Sequence, residues 1–314
     1  MKKTFALLLA LAMIFTLCAC TKNAEAVETP EVSESAEPES PLSKVVTIGP
    51  NCTEVFCILG LQDRIVGSCM TNHSLGALSE LAADVSGIPV LCEGYPTVDE
   101  IVKSGCNFVY AYKWAFTDDF TYEALTANGI TVYISDAVTY DEIWAEIRDI
   151  AELFDVKDTA EEYISSQAER IDAVNAALED TEPVKVLVYD SYAGGGYIYT
   201  AGAGNLETRF IETAGGVNIC EDSEREWSGI SIEDIAKANP DFIIIHDYSG
   251  TSYDDKVKFL KTDPLLSQLE CVQNDCFIRI SLENTFCGSR TAETVELFAA
   301  AFHPDIITVK SWNS

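Results

Sequence analysis

Basic residues are scarce in this sequence: 20 lysines and arginines stand against 51 aspartates and glutamates, a formal charge of −31 over 314 residues. So acidic a chain repels phosphate backbones, which argues against nucleic-acid binding and suits a basic partner or a cationic ligand. Histidine is scarcer still, at three: His73, His246 and His303, with no two spaced as a metal-binding pair. A bare metal ion needs three or four convergent donors, so no metal site is expected. The glycines of Ala193-Gly-Gly-Gly-Tyr197 are followed by no Gly-Lys-Ser/Thr, which excludes a P-loop and leaves a hairpin as the simplest reading. Gly-x-Ser-x-Gly is missing too, and no nucleophile triad order is evident. There is no Cys-x-x-Cys. Nine cysteines follow Cys20, at 52, 57, 69, 92, 106, 220, 271, 276 and 287, so an odd one stays unpaired within the chain. Most lie in apolar runs such as Val55-Phe-Cys-Ile-Leu59, where a buried free thiol is the ordinary expectation.

A membrane-spanning run is also lacking. The apolar stretch Phe5–Leu17 falls well short of the roughly 20 residues that cross a bilayer. Lys2 and Lys3 precede it and small residues close it, so residues 1–19 read as an export signal. Leu17-Cys18-Ala19-Cys20 resembles the lipobox of bacterial lipoproteins, although Cys18 stands where Ser, Ala, Thr or Val is usual. The resemblance implies that Cys20 carries the lipid anchor and becomes the mature N-terminus. Residues 20–43 then form an acidic, disordered tether: six Glu, one Lys, three Pro and no aromatic residue cannot bury enough surface to fold, and their mutual repulsion extends the segment. With +2 on the signal's two lysines and −5 on the tether, −28 remains on residues 44–314.

From residue 44 short β-rich runs alternate with helical ones, the pattern of an α/β fold with largely parallel strands. Strands are expected at Val45–Ile48, Arg64–Gly67, Phe108–Tyr112, Val132–Ser135, Val184–Tyr189, Phe242–His246 and Phe277–Ser281. Two consecutive helical stretches, Tyr140–Phe154 and Thr159–Leu178, interrupt the alternation. The organisation is an N-terminal α/β lobe (44–138), connecting helices (139–183) and a C-terminal α/β lobe (184–314). An internal repeat supports it: residues 97–112, TVDEIVKSGCNFVYAY, align without gaps to residues 231–246, SIEDIAKANPDFIIIH, one copy per lobe. Two similar lobes facing each other imply a cleft at the strand C-termini, the usual ligand edge of such sheets. Within the repeat, Glu100 and Asp234 fit capping boxes with Thr97 and Ser231, whereas Asp99 and Glu233 are first-turn acids that the box does not require.

VVTIGPNCTEVFCILGLQDRIVG, YPTVDEIVKSGCNFVYAY, ETAGGVNIC, WSGISIEDIAKANPDFIII and FHPD, in that order over nearly all of 44–305, resemble the cobalamin and iron-siderophore class of ABC-transporter solute-binding proteins. The resemblance implies two Rossmann-like lobes joined by a rigid helical backbone, with the ligand held between them. It implies an ABC permease dimer with its ATPase as partner, a monomeric receptor, and a lipid-anchored position on the extracytoplasmic face of the membrane, as at a Gram-positive-type cell surface. It further implies one docking acid per lobe. Asp99 or the adjacent Glu100 matches the first and Glu233 the second, with Asp99 standing where the class usually has Glu.

For the ligand, the class implies a metal chelate: a ferric siderophore first, a corrinoid or heme next, and no resident cofactor. Aromatic and polar side chains near the strand ends are the binding candidates. These are Asn51, Tyr112, Lys113, Trp114, Tyr192, Arg225, Trp227, Tyr248 and Arg290, with Tyr112 and Trp227 matching cleft aromatics of the cobalamin-binding relatives. A further aromatic of those relatives falls on Glu93 here. A lone heme ligand from His73 or a tyrosine is left open. The alternatives are a membrane-anchored hydrolase working in the interlobe cleft, and a surface receptor without a permease.

Overall fold

The computed structural model describes residues 42–73, 76–248, 250 and 252–308. The expected signal segment, the expected anchor at Cys20 and residues 20–41 of the expected tether lie outside these, as does the His73 side chain. No helix among the described residues is long and apolar enough to cross a membrane.

The first lobe is built on β1 (Val45–Ile48), α1 (Pro50–Ile58), β2 (Ile65–Cys69), α2 (Ala82–Ser86), α3 (Val98–Lys103), β3 (Phe108–Tyr112), α4 (Tyr122–Ala127) and β4 (Thr131–Ser135). Its four strands form a parallel sheet in the order β2-β1-β3-β4. Two helices follow, α5 (Tyr140–Leu153) and α6 (Lys157–Leu178). The second lobe comprises β5 (Val184–Tyr189), β6 (Ser191–Gly194), β7 (Tyr197–Ala201), α7 (Leu206–Thr213), β8 (Gly216–Asn218), β9 (Trp227–Ser231), α8 (Ile232–Ala238), β10 (Phe242–Asp247), α9 (Tyr253–Thr262), α10 (Glu270–Gln273), β11 (Phe277–Ser281) and α11 (Thr291–Phe302). Its main sheet is parallel in the order β11-β10-β5-β8, beside a three-stranded antiparallel sheet β6-β7-β9. The expected parallel strands are present with ends shifted by a residue or two. The strand expected from Arg64 starts at Ile65 because Gln62–Arg64 form a 3-10 turn. Helix starts follow local chemistry: Thr97, Thr121, Thr139, Asn205, Ser231 and Ser252 each accept an N–H of the first turn on the side chain, contributing about 1 kcal/mol apiece.

Strand alternation sorts the core. In the first sheet Val45, Phe108 and Tyr110 face one way while Val46, Ile48, Val109 and Ala111 face the other. In the second, Val186, Val188 and Ile244 oppose Leu187, Tyr189, Ile243 and Ile245. The first face of each sheet joins one continuous apolar cluster that runs through Ile143, Ile147 and Ile150 of α5 and Ile164, Ile171 and Val174 of α6. The connecting helices are therefore core to both lobes, which is what makes them a backbone rather than a linker.

At the seam between the lobes lies a buried ion pair. Arg290 donates from Nη2 to Glu54 Oε1 at 2.6 Å and from Nε to Oε2 at 2.9 Å, with both side chains at most 3% exposed. Glu54 also accepts from Ser289 Oγ and the Leu78 N–H, and Arg290 donates to the Gly76 carbonyl, so both groups are compensated on several sides. Asn51 Nδ2 donates beside it to Ser135 Oγ and to the Cys287 carbonyl. Arg290 and Asn51, expected in the ligand cleft, thus hold the lobes together. A buried carboxylate demands a countercharge, and Glu54's partner lies 236 residues away in sequence.

Removing one side of such a pair leaves an uncompensated buried charge. Arg290→Met should destabilise the protein by about 3–5 kcal/mol, and adding Glu54→Leu should recover more than half of that loss. Chemical denaturation of both variants checks this; equal stability of the single and double variants would refute it.

Candidate functional site

The C-terminal ends of the strands leave a cavity between the lobes with an empty volume of about 700 Å3 and an open mouth. Met70, Tyr95, Tyr112 and Trp114 line it from the first lobe. Asp190, Tyr199, Trp227 and Tyr248 do so from the second, with Leu282 and Phe286 beyond β11. Tyr112 packs on Phe286 across the lobes at 4.2 Å between ring centroids. Trp227 stacks nearly parallel on Tyr199 at 5.6 Å, and its ring meets His246 edge to face. The antiparallel sheet makes that stack: Trp227 pairs with Ala201 and Gly229 with Tyr199, so Trp227 and Tyr199 share a face with no side chain at Gly229 to intervene. The hairpin expected at the glycine run connects β6 to β7, and Gly194, Gly195 and Gly196 all have positive φ, as such a turn requires.

Of the candidates, Tyr112, Trp114, Trp227 and Tyr248 come together in this cavity. Lys113 lies in an adjoining crevice, where its Nζ pairs with Glu226 across the lobes at 2.8 Å. Tyr192 is exposed on β6, packs on Phe259 at 5.0 Å and accepts the Gly196 N–H on its hydroxyl, away from the cavity lining. Arg225 is also off the lining; its carbonyl accepts the Gly204 N–H, in a loop that packs so closely on Gly202 that a Cβ there would lie 2.3 Å from the Arg225 oxygen. The sequence reading missed Met70, Tyr95, Asp190 and Tyr199. Met70 and Asp190 directly follow β2 and β5, so position at a strand's C-terminal edge was a usable signal. Tyr95 stands two residues beyond Glu93 and supplies the aromatic surface that Glu93 does not.

Below the aromatic walls lies a buried polar network. His246 on β10 is fully buried; its Nδ1 lies 3.0 Å from Asp190 Oδ1, and its Nε2 lies 3.1 and 3.0 Å from the two oxygens of Glu207 at the start of α7. A neutral imidazole would turn one lone pair toward a carboxylate, so the ring is an imidazolium. Burial opposes that charge, but Glu207's charge and the hydrogen bonds to Asp190 and Glu207 push the His246 pKa up to about 9. Burial likewise works to raise the Asp190 pKa, and the hydrogen bond and charge of His246 outweigh it, holding Asp190 below its usual range. Tyr248 donates to Asp190 Oδ2 at 3.1 Å. Lys256, fully buried, donates from Nζ to the His246 carbonyl and sits 4.4 Å from the Tyr248 ring. Among the described residues no cluster of His, Cys, Asp and Glu could hold a metal ion, and all nine cysteines from Cys52 to Cys287 are free thiols.

Asp99 and Glu233 are both exposed, one per lobe. Asp99 pairs with Lys103 on the same helix. Glu100 closes a complete capping box, accepting the Thr97 N–H at 2.8 Å, whereas Asp234 reaches the Ser231 hydroxyl and pairs with Lys237.

A family model described as periplasmic binding protein matches residues 45–281. The chain belongs to that family. It is 22% identical over 247 residues, 78% of this chain and 83% of its relative, to a vitamin B12-binding protein of Yersinia pestis. The fold is similar to that of an ABC-type Fe3+-hydroxamate transport protein from Saccharomonospora viridis, with a TM-score of 0.70 at 22% identity over 84% of this chain and 94% of the other. It is also similar to a periplasmic heme binding protein from Pseudomonas aeruginosa, with a TM-score of 0.72 at 18% identity over 86% and 95%. The family match makes the chain a binding protein rather than the hydrolase weighed as an alternative.

The His246 network sets a pH dependence. A folded-state pKa of about 9 against an ordinary 6.5 contributes stability that is fully present below pH 6.5 and is lost as pH rises through about 9. The loss is on the order of 3 kcal/mol. Urea midpoints between pH 6 and pH 10 should fall accordingly, and in His246→Gln this alkaline loss should largely vanish; an unchanged loss in that variant would show that His246 is not its source.

Proposed function

We propose that this chain captures a corrinoid in the interlobe cavity and delivers it to an ABC permease, held at the extracytoplasmic face by a lipid on Cys20. The observation that carries the ligand class is the lining: seven aromatic side chains and one carboxylate, with no Lys or Arg among the described residues of the cavity wall. Aromatic faces suit a broad macrocycle. Ferric catecholates and heme carry anionic oxygens that call for Arg or Lys partners, whereas Lys113 in the adjoining crevice is already paired with Glu226 and Lys256 is buried under His246. The ferric siderophore expected first from sequence therefore falls behind the corrinoid. A ferric hydroxamate, uncharged or cationic, fits the charge of the site but makes less use of its aromatic breadth. The similarity to a vitamin B12-binding protein points the same way.

The permease contact belongs to Asp99 and Glu233, since Glu100 is engaged in capping. Both acids are exposed and neither touches the cavity lining.

Titrating the purified protein with cyanocobalamin, cobinamide, heme and a ferric hydroxamate, followed by absorbance, should show saturable binding of the corrinoids. Trp227→Ala should weaken it by about tenfold or more, as removing a central aromatic anchor does. Tight heme binding with no response to corrinoids would sink the reading. For docking, Asp99→Lys with Glu233→Lys should leave corrinoid affinity unchanged and abolish uptake into cells; a loss of affinity would place these acids in ligand binding instead.

A further inference from the structure

Asp190 is an ionised carboxylate in the wall of an otherwise aromatic and aliphatic cavity. Its Oδ1 faces His246, its Oδ2 accepts from Tyr248 and the Ser191 side chain bonds the carboxylate as well, so three of its roughly four lone pairs are engaged and about one is left for a ligand. The positive groups that balance it, His246 and Lys256, are fully buried behind it, and Glu207 secures the far side of the imidazole. Among the described residues no lysine or arginine belongs to the lining to neutralise it from the front. An ionised carboxylate accepts hydrogen bonds and donates none. Set in a largely aromatic wall, it prefers a ligand that offers N–H groups over one that offers another carboxylate.

We propose that Asp190 is the specificity-determining residue of this site, reading the N–H donors of the ligand and rejecting ligands that present a carboxylate at the same place. His246 and Glu207 are positioning residues: they fix the Asp190 carboxylate and keep it ionised without meeting the ligand. The inference rests on the cavity being the ligand site and deepens the corrinoid reading, because the periphery of a corrinoid carries carboxamide groups where heme carries carboxylates. The donor preference does not itself require a corrin, so the two can fail separately.

Two probe sets test it on the full folded chain. In the first, cyanocobalamin is compared with its isomeric derivatives in which one peripheral amide is hydrolysed to a carboxylate. At least one isomer should bind about tenfold or more weakly to the unmodified protein, a difference of about 1.4 kcal/mol. Asp190→Asn, which supplies an N–H donor in the same shape, should restore that isomer selectively. In the second, benzamidinium, benzamide and benzoate share one ring, and their weak binding is followed by ligand-observed NMR. The two donors should bind in preference to benzoate, and Asp190→Asn should remove the preference while keeping the ring contact. Should Asp190→Asn not fold, the order of the three small probes on the unmodified protein decides alone. Benzoate binding as well as benzamidinium would overturn the proposal. Failure of every corrinoid, with the donor preference intact, would overturn the corrinoid reading and leave the role of Asp190 standing.

Discussion

Glu54 and Arg290 meet in the seam between two sheets, and the geometry of everything around the cavity follows from that meeting. Neither can be solvated where it sits, so each requires the other, and the folded state is restricted to arrangements in which α1 of the first lobe lies against the segment leading into α11 of the second. The apolar cluster through α5 and α6 supplies the bulk of the burial free energy, but apolar burial is non-directional and tolerates sliding. The ion pair, with Asn51 bridging Ser135 and the Cys287 carbonyl and Tyr163 donating to the Ser289 carbonyl, supplies direction. A cavity whose two walls belong to different lobes needs that registration. Tyr112 on one wall and Phe286 on the other are in ring contact, and Phe286 is one residue from Cys287.

The shortage of basic residues connects this architecture to the chemistry of the site. Arg290 is committed to Glu54, Arg170 to Glu296, Arg279 to Asp247 and Lys113 to Glu226. Lys256 is buried under His246. In a chain with more than twice as many acids as bases, these cations are engaged in holding elements together, and among the described residues no lysine or arginine is left on the cavity wall. What remains there is aromatic surface and one carboxylate. The charge preference of the site thus follows from a global property of the chain as well as from local choice.

The two-lobed plan was legible because it is written in periodicity: β-rich runs at Val45, Phe108, Val184 and Phe242, two uninterrupted helical stretches, and a repeat that places Thr97 and Ser231 at equivalent helix starts. The aromatic half of the site was legible for a similar reason, since Tyr112 ends a buried strand, Trp114 stands two residues beyond it and Tyr248 directly follows another. Arg290 and Asn51 misled because residue type does not reveal whether an arginine or an amide meets a ligand or a distant carboxylate; that depends on partners 236 residues away. Tyr192 misled because the register of β6 against β7 turns it toward Phe259. Asp190 escaped notice because a single acid stands out little in so acidic a sequence; only its place directly after β5 marked it.

The His246 network explains how that acid persists. A lone carboxylate among aromatic rings would take up a proton rather than remain charged. Placing an imidazolium behind it, and a second carboxylate behind the imidazolium, keeps Asp190 ionised while each buried charge retains an opposite neighbour. The arrangement uses elements the fold already supplies: Asp190 directly follows β5, β10 carries His246 beside it, and Glu207 lies in the first turn of α7, its N–H bonded to the Asn205 cap. Two parallel strands and one helix start converge where a parallel sheet opens toward its ligand edge. The ionised group therefore sits between two strands and is held by His246 and Tyr248, and a fixed acceptor discriminates between ligands better than a mobile one because it cannot move away from a mismatched group.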